Sequence, residues 1–183
     1  ACSPYLVGIL TSNPGMIDEL LDSLMLDCLP TYDELDDNLT ELCRRAEDIA
    51  PMLHSFKNSM HLRVGVRDIL GKEQISDTHA TLSDIAEVIL KQIIEQEYHR
   101  LVQRLGVPIL TDGDRAGEAA NMIVLGVGKL GGREPNYHSD LDVIFLFDGD
   151  GTTRSLLPTR KFEPTTNRHF FNQLCQRIIH AVT

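Results

Sequence analysis

The chain has 183 residues, 42% hydrophobic and 24% charged, an ordinary balance for a soluble globular protein that holds one large domain or two small ones. Its net charge of −10 argues against a nucleic-acid partner, which needs clustered Lys and Arg, and no run approaches the ~20 apolar residues that cross a bilayer. Cys2, Cys28, Cys43 and Cys175 form no Cys-x-x-Cys pair and no His/Cys cluster with zinc spacing, and the start lacks a basic segment followed by an apolar one. Reduced thiols in a cytoplasmic protein are the expectation.

The charge is unevenly spread. Residues 1–60 carry eleven acids against three bases (Arg44, Arg45 and Lys57), whereas residues 151–183 carry Arg154, Arg160, Lys161, Arg168 and Arg177 against Glu163 alone. The basic segment suits an anionic substrate such as a nucleoside triphosphate, and equally a solvated face.

In chain order, Ile17, Leu20, Leu21 and Leu24 recur at helical spacing from Met16, and Pro30 closes that segment. A second helix is predicted over Thr31 to Ile49, with Leu35, Leu39, Leu42 and Ala46 on one face and Pro51 as a stop. A third covers Met52 to Ile69. The longest runs from Asp77 to Leu105, capped by Ser76 or Asp77, with Leu82, Ile85, Ala86, Ile89, Ile93 and Tyr98 as its buried stripe. Thr111 to Gly117, rich in Asp, Gly and Arg, reads as an exposed connection between a helical domain, residues 1–110, and a second domain, residues 118–183. Two strand-like runs follow, Met122 to Val127 and Leu141 to Phe147, then a polar loop and a last helix from Thr165 to Ala181 with Phe170, Phe171, Leu174 and Ile178 inward. The fold class is α+β. A two-stranded sheet is too small to stand without further elements against it.

The chemistry concentrates between those strands. Gly126-Val127-Gly128-Lys129-Leu130-Gly131 matches the dinucleotide fingerprint G-x-G-x-x-G, with Asp148 near the distance of a ribose-binding acid. Only residues 128–140 separate the strands, with Pro135 among them, so the required crossover helix does not fit. A P-loop fails as well, because Leu130 follows Lys129 where Ser or Thr belongs. What remains is a glycine turn followed by Asp140 and Asp142. On a strand, side chains at i and i+2 share a face, roughly 7 Å apart at Cα, and two acids among Leu141, Val143, Ile144 and Phe145 are costly unless a cation neutralises them.

Gly131-Gly132, seven further residues, then Asp140-Leu141-Asp142-Val143 resembles the signature of the DNA polymerase β-like nucleotidyltransferase superfamily. The longer string Gly128-Lys129-Leu130-Gly131-Gly132-Arg133-Glu134, Asn136 and Ser139 to Leu146 is similar to the glutamine synthetase adenylyltransferase family, as are Ser3 to Leu6, Asp18 to Asp22, Phe56 to Ile69 and Phe170 to His180. Pro135 departs from the usual Leu, a change expected to touch turn packing rather than chemistry. The resemblance implies a truncated polymerase-β-like palm after the N-terminal helices, Mg2+ and ATP as cofactors, and transfer of AMP to a tyrosine hydroxyl of glutamine synthetase, or its removal. The Ser-Asp-Leu-Asp form looks more like the adenylylating half. It further implies Asp140 and Asp142 as catalytic metal ligands, Gly131, Gly132, Ser139 and Lys129 around the nucleotide, and a PII signalling protein as regulator beside glutamine synthetase.

A third carboxylate is expected on a later strand, beyond Thr183, so the chain is expected to be a fragment that is weak or inactive alone. On local grounds, Lys129 reads equally as a solvated side chain, Arg133 and Glu134 as an ion pair on the loop, Asn136 as a turn former and His138 as an exposed loop residue. Another nucleotidyltransferase, or a non-catalytic docking domain, stays as the alternative.

Overall fold

The computed structural model describes residues 3–25, 28–156 and 163–182, without the side chains of residue 19 and residues 22–25. Cys2, Asp27, Arg160, Lys161 and Thr183, and the side chains of Glu19, Asp22 and Leu24, lie outside the described residues. The chain is mixed helix and short strand, as an α+β class requires, and divides into two compact units: Ala1–Ile89 with Gly128–Asp142, and Leu90–Val127 with Val143–Thr183. The exposed stretch from Thr111 to Gly117 falls inside the second unit.

The first unit begins with a helix that the periodicity does not predict. Ser3 accepts a hydrogen bond from the Leu6 amide and Pro4 occupies the first turn, which starts α1 (Pro4–Ser12). In α2 (Met16–Met25), Met16 is buried and Leu20 is partly buried, whereas Ile17 and Leu21 are exposed. Leu6, Ile9 and Met16 pack with Leu62 of α4 (Ala50–Ile69) into one apolar cluster. Thr31 and Glu34 exchange side-chain and backbone hydrogen bonds in a capping box that opens α3 (Tyr32–Cys43). Leu35 and Leu39 are buried as expected, but α3 stops at Cys43 rather than Ile49, which leaves Leu42 exposed. Pro51 does not terminate that helix. It sits in the first turn of α4, where a missing N–H costs nothing, and Asp48 accepts from the Ala50 amide just ahead of it.

The long helix α5 (Ile75–Leu105) starts before its expected cap and is buried on several sides, with Thr78, Ser83, Ile85 and Val88 enclosed along its first half. Its second half belongs to the second unit, where Leu101 is buried and Tyr98 meets Phe170 edge-on at 5.7 Å.

Two small sheets complete the second unit. β1 (Val107–Leu110) pairs antiparallel with β4 (Gly151–Arg154), neither of them expected. A Cβ at Gly151 would lie 1.8 Å from the Ile109 carbonyl oxygen, so only glycine permits this approach. β2 (Met122–Gly126) pairs antiparallel with β3 (Val143–Phe147) in the register Met122↔Phe147 to Gly126↔Val143. One face of that pair meets α7 (Asn167–Val182), where Phe147 stacks on Phe171 at 5.1 Å and the Met122 and Cys175 sulfurs are 4.0 Å apart. The other face carries Ile123, Leu125, Ile144 and Leu146, all 44% or more exposed. The antiparallel pairing removes the dinucleotide reading, which needs parallel strands joined by a crossover helix. Asp148 serves the hairpin instead of a ribose. It accepts from the Asn121 amide at 2.8 Å and from Arg115 at 2.8 Å, closing the end of the β2–β3 pair.

Candidate functional site

After β2 the backbone turns at Gly128, with φ +56, into a single helical turn, α6 (Gly128–Gly131). The Gly132 amide donates to the Gly128 carbonyl at 3.0 Å, and the Glu134 amide donates to that of Lys129 at 2.9 Å. Leu130 points inward at 5% exposure, while Lys129, Gly131 and Gly132 are exposed. Arg133, at φ 53, ends the turn in the left-handed region, where a non-glycine residue persists only if its surroundings hold it.

Those surroundings are in the first unit. The Arg133 guanidinium donates to Asp84 Oδ1 at 2.6 Å, to Glu87 Oε1 at 3.0 Å and to the Ala80 carbonyl at 3.2 Å, all on α5. Hydrogen bonding to Asp84 raises its pKa from the ordinary value. The expected Arg133–Glu134 pair is therefore replaced by a connection to a helix 46 or more residues earlier in the chain. Pro135 is buried, so the substituted position remains an apolar contact in the loop.

Asn136 to Ser139 form a closed turn. Ser139 Oγ accepts from the Asn136 amide at 2.9 Å and donates to Asn136 Oδ1 at 3.1 Å, and the Ser139 amide donates to the Asn136 carbonyl at 3.1 Å. This makes Asn136 the turn former its type predicts and engages the Ser139 hydroxyl in the same turn. The two residues between them reach back to the helices. Tyr5 of α1 meets the His138 ring edge-on at 4.6 Å and the Tyr137 ring at 5.9 Å, and its hydroxyl is 2.8 Å from His61 Nδ1 on α4. His138 is exposed, as expected, but it is packed against that ring. Burial, with Lys57 and His138 nearby, pushes His61 down to about 4, so it is neutral at physiological pH. Burial likewise raises the Tyr137 hydroxyl well above its ordinary value, and that oxygen has no hydrogen-bond partner among the described residues.

Asp140 and Asp142 follow immediately. They precede β3 rather than lying within it, and the alternation of exposed and half-buried side chains that runs through the strand already includes them: both acids are exposed and Leu141 between them is half-buried. Asp142 folds back over the glycine turn. A Cβ at Gly128 would lie 2.6 Å from Asp142 Oδ2, so the carboxylate and the start of the turn are in direct contact. The glycine whose missing Cβ leaves room for this carboxylate is Gly128. The available signal was the Gly126-Val127-Gly128 segment, which the dinucleotide motif absorbs.

This arrangement of glycine turn and acids sits in a sequence that matches one family throughout. The profile of the family described as glutamate-ammonia ligase adenylyltransferase matches residues 1–183. The chain belongs to that family. Among its curated relatives is a bifunctional glutamine synthetase adenylyltransferase/adenylyl-removing enzyme of Shewanella frigidimarina, 33% identical over 97% of this chain and 18% of the relative. Proteins of the same description from Pseudomonas putida and Thioalkalivibrio sulfidiphilus are each 34% identical, over 100% and 98% of this chain and 19% of their own length. The chain thus spans about a fifth of the length of these relatives, and the family resemblance seen in the loop extends over all of it.

Proposed function

We propose that residues 128–142 form the metal- and triphosphate-binding edge of a DNA polymerase β-like nucleotidyltransferase palm, and that the chain serves transfer of AMP from ATP to a tyrosine hydroxyl of glutamine synthetase. The observation that carries this reading is the Asp142 carboxylate lying on the Gly128 turn, with Asp140 exposed two residues earlier. Along the sequence, the palm takes residues 118–183 and a helical domain takes residues 1–110.

The donor set suits Mg2+, which is commonly held by one or two carboxylates while substrate phosphate and water complete its six oxygens. Asp140 and Asp142 supply the two carboxylates, and no group of three or more His, Cys, Asp or Glu among the described residues forms a closed cage for a different metal. When bound there, Mg2+ neutralises triphosphate charge and lowers the pKa of an attacking hydroxyl. The chain supplies the rest. At Gly131 and Gly132 no side chain keeps phosphate oxygens from the backbone amides. Lys129, exposed on the same turn, offers a point charge to those oxygens. Ser139 holds the turn that delivers the acids. In the transfer, the tyrosine oxygen bonds to the α-phosphorus as the bond to the bridging oxygen of pyrophosphate breaks, and the hydroxyl proton passes to solvent.

The relatives' description covers both addition and removal of the adenylyl group; the Ser139-Asp140-Leu141-Asp142 form supports the adenylylating half. Glutamine synthetase and a PII signalling protein are the partners in this reading and the cytoplasm its setting, with no role for nucleic acid or membrane. No helix among the described residues is long and apolar enough to cross a membrane. The test is transfer of labelled AMP from ATP to glutamine synthetase by a polypeptide of the relatives' full length carrying this segment. Label on glutamine synthetase that falls to background with Asp142→Asn supports the assignment. Label on another macromolecule but none on glutamine synthetase removes it.

A further inference from the structure

We infer that Arg133 is a positioning residue: with its partners Asp84 and Glu87 on α5, and with the Tyr137–His138 pair seated on Tyr5 and His61, it presets the glycine–acid loop for a magnesium nucleotide. The inference rests on the reading of residues 128–142 as that site.

The loop takes support from helices earlier in the chain. Residues Gly128–Asp142 pack with Ala1–Ile89, while β2 and β3 belong to the other unit. Two attachments accomplish this. At one end, the Arg133 guanidinium bonds to two carboxylates and a carbonyl of α5, with distances of 2.6 to 3.2 Å. At the other, Tyr137 and His138 enter a ring cluster with Tyr5 and His61, with centroids 4.6 to 5.9 Å apart. The glycine turn lies just before the first attachment and the acids just after the second. The attachments therefore bracket residues 133–138, and they set how far the turn stands from the acids.

The geometry also separates two roles for Arg133. An arginine beside a glycine turn is an obvious phosphate ligand, yet this one points its guanidinium at α5, and its backbone is held at φ 53 while it does so. The planar fork is matched to several oxygens at once, which a lysine ammonium cannot reproduce. Groups that orient metal ligands without touching the metal commonly change its affinity about 10- to 100-fold when altered. Asp84 and Glu87 have the same leverage from the opposite side of the contact.

The experiment measures binding of a non-hydrolysable ATP analogue with and without MgCl2 by calorimetry, and amide hydrogen exchange across residues 128–142. The variants are Arg133→Asn, which tolerates a left-handed backbone, and the double change Asp84→Asn with Glu87→Gln. Glu87→Gln alone, at a side chain 43% exposed, is the milder version should the double change unfold the protein. Losses of magnesium-dependent affinity of about tenfold in both Arg133→Asn and the α5 variant, partly restored in Arg133→Lys, with faster exchange confined to the loop, are expected. A loss in Arg133→Asn with none in the α5 variant overturns the inference, since Arg133 would then act on phosphate directly. Unchanged exchange in the α5 variant overturns it too. Absence of magnesium-dependent binding in the unmodified protein would instead defeat the reading of the site, and the exchange measurement would still decide whether the helix holds the loop.

Discussion

Acidic side chains are used in two ways in this molecule. In the second unit Glu97 is 6% exposed and is held by Arg100 at 2.6 Å and Arg177 at 2.7 Å, while Asp148 binds Arg115 and the Asn121 amide. In the loop of residues 128–142, Asp140 and Asp142 are exposed, and no ion pair among the described residues engages either. The first arrangement neutralises charge internally and stiffens the fold. The second leaves charge available to something outside it. A carboxylate with its cation in the fold is tied to that fold, whereas Asp142 lies against the Cβ-free Gly128 with no ion pair among the described residues, as the proposed site requires.

Glu97→Gln should break the first arrangement most severely. Two charge-assisted hydrogen bonds to the buried carboxylate are weakened while the partly exposed arginines return to water, and a loss of about 2 kcal/mol is expected by denaturant titration. Its pH dependence follows from the shift: burial pushes the Glu97 carboxyl up, but hydrogen bonds from Arg177 and Arg100 outweigh it and hold it below the ordinary 4.5. Its contribution is therefore complete above that value and is lost as pH falls through the depressed one. Glu97→Gln should flatten the acid limb of the stability profile, and an unchanged limb would show that Glu97 does not carry it.

Gly128→Ala probes the contact that joins turn and acid. A left-handed backbone costs a non-glycine residue roughly 1–2 kcal/mol, and the new Cβ, 2.6 Å from Asp142 Oδ2, displaces the carboxylate. Thermal melts should show the modest loss and magnesium titration a larger one. An equal loss in both would make Gly128 merely structural. Asp148→Asn should cost about 1 kcal/mol through its lost charge-assisted bonds, with magnesium-dependent nucleotide binding unaffected. Leu146→Thr, on the exposed face of β3, should change stability by no more than about 0.5 kcal/mol.

The same contrast explains what could be read from the residues alone. The seven-residue spacing from Gly132 to Asp140 marks the loop proposed as the site, and apolar runs located β2, β3 and α7, because those signals are local. β1 and β4 were not legible: Val107–Leu110 contains a proline and Gly151–Arg154 is polar, so neither alternates, and both form through pairing with each other. The helix α1 was announced only by Ser3 and Pro4, a start signal on a short apolar run. Pro51 reads as a stop from the sequence, but it occupies the first turn of α4. The links from Arg133 to α5 and from Tyr137 to α1 and α4 are long-range and leave no periodic trace.

The most direct test of the central claim, that the open carboxylates and the glycine turn are a magnesium–triphosphate site, is calorimetric titration of this protein with a non-hydrolysable ATP analogue. Binding that requires MgCl2 and disappears in Asp140→Asn with Asp142→Asn, at an unchanged melting temperature, is the predicted result. Nucleotide binding that is indifferent to magnesium, or that survives loss of both acids, would contradict it.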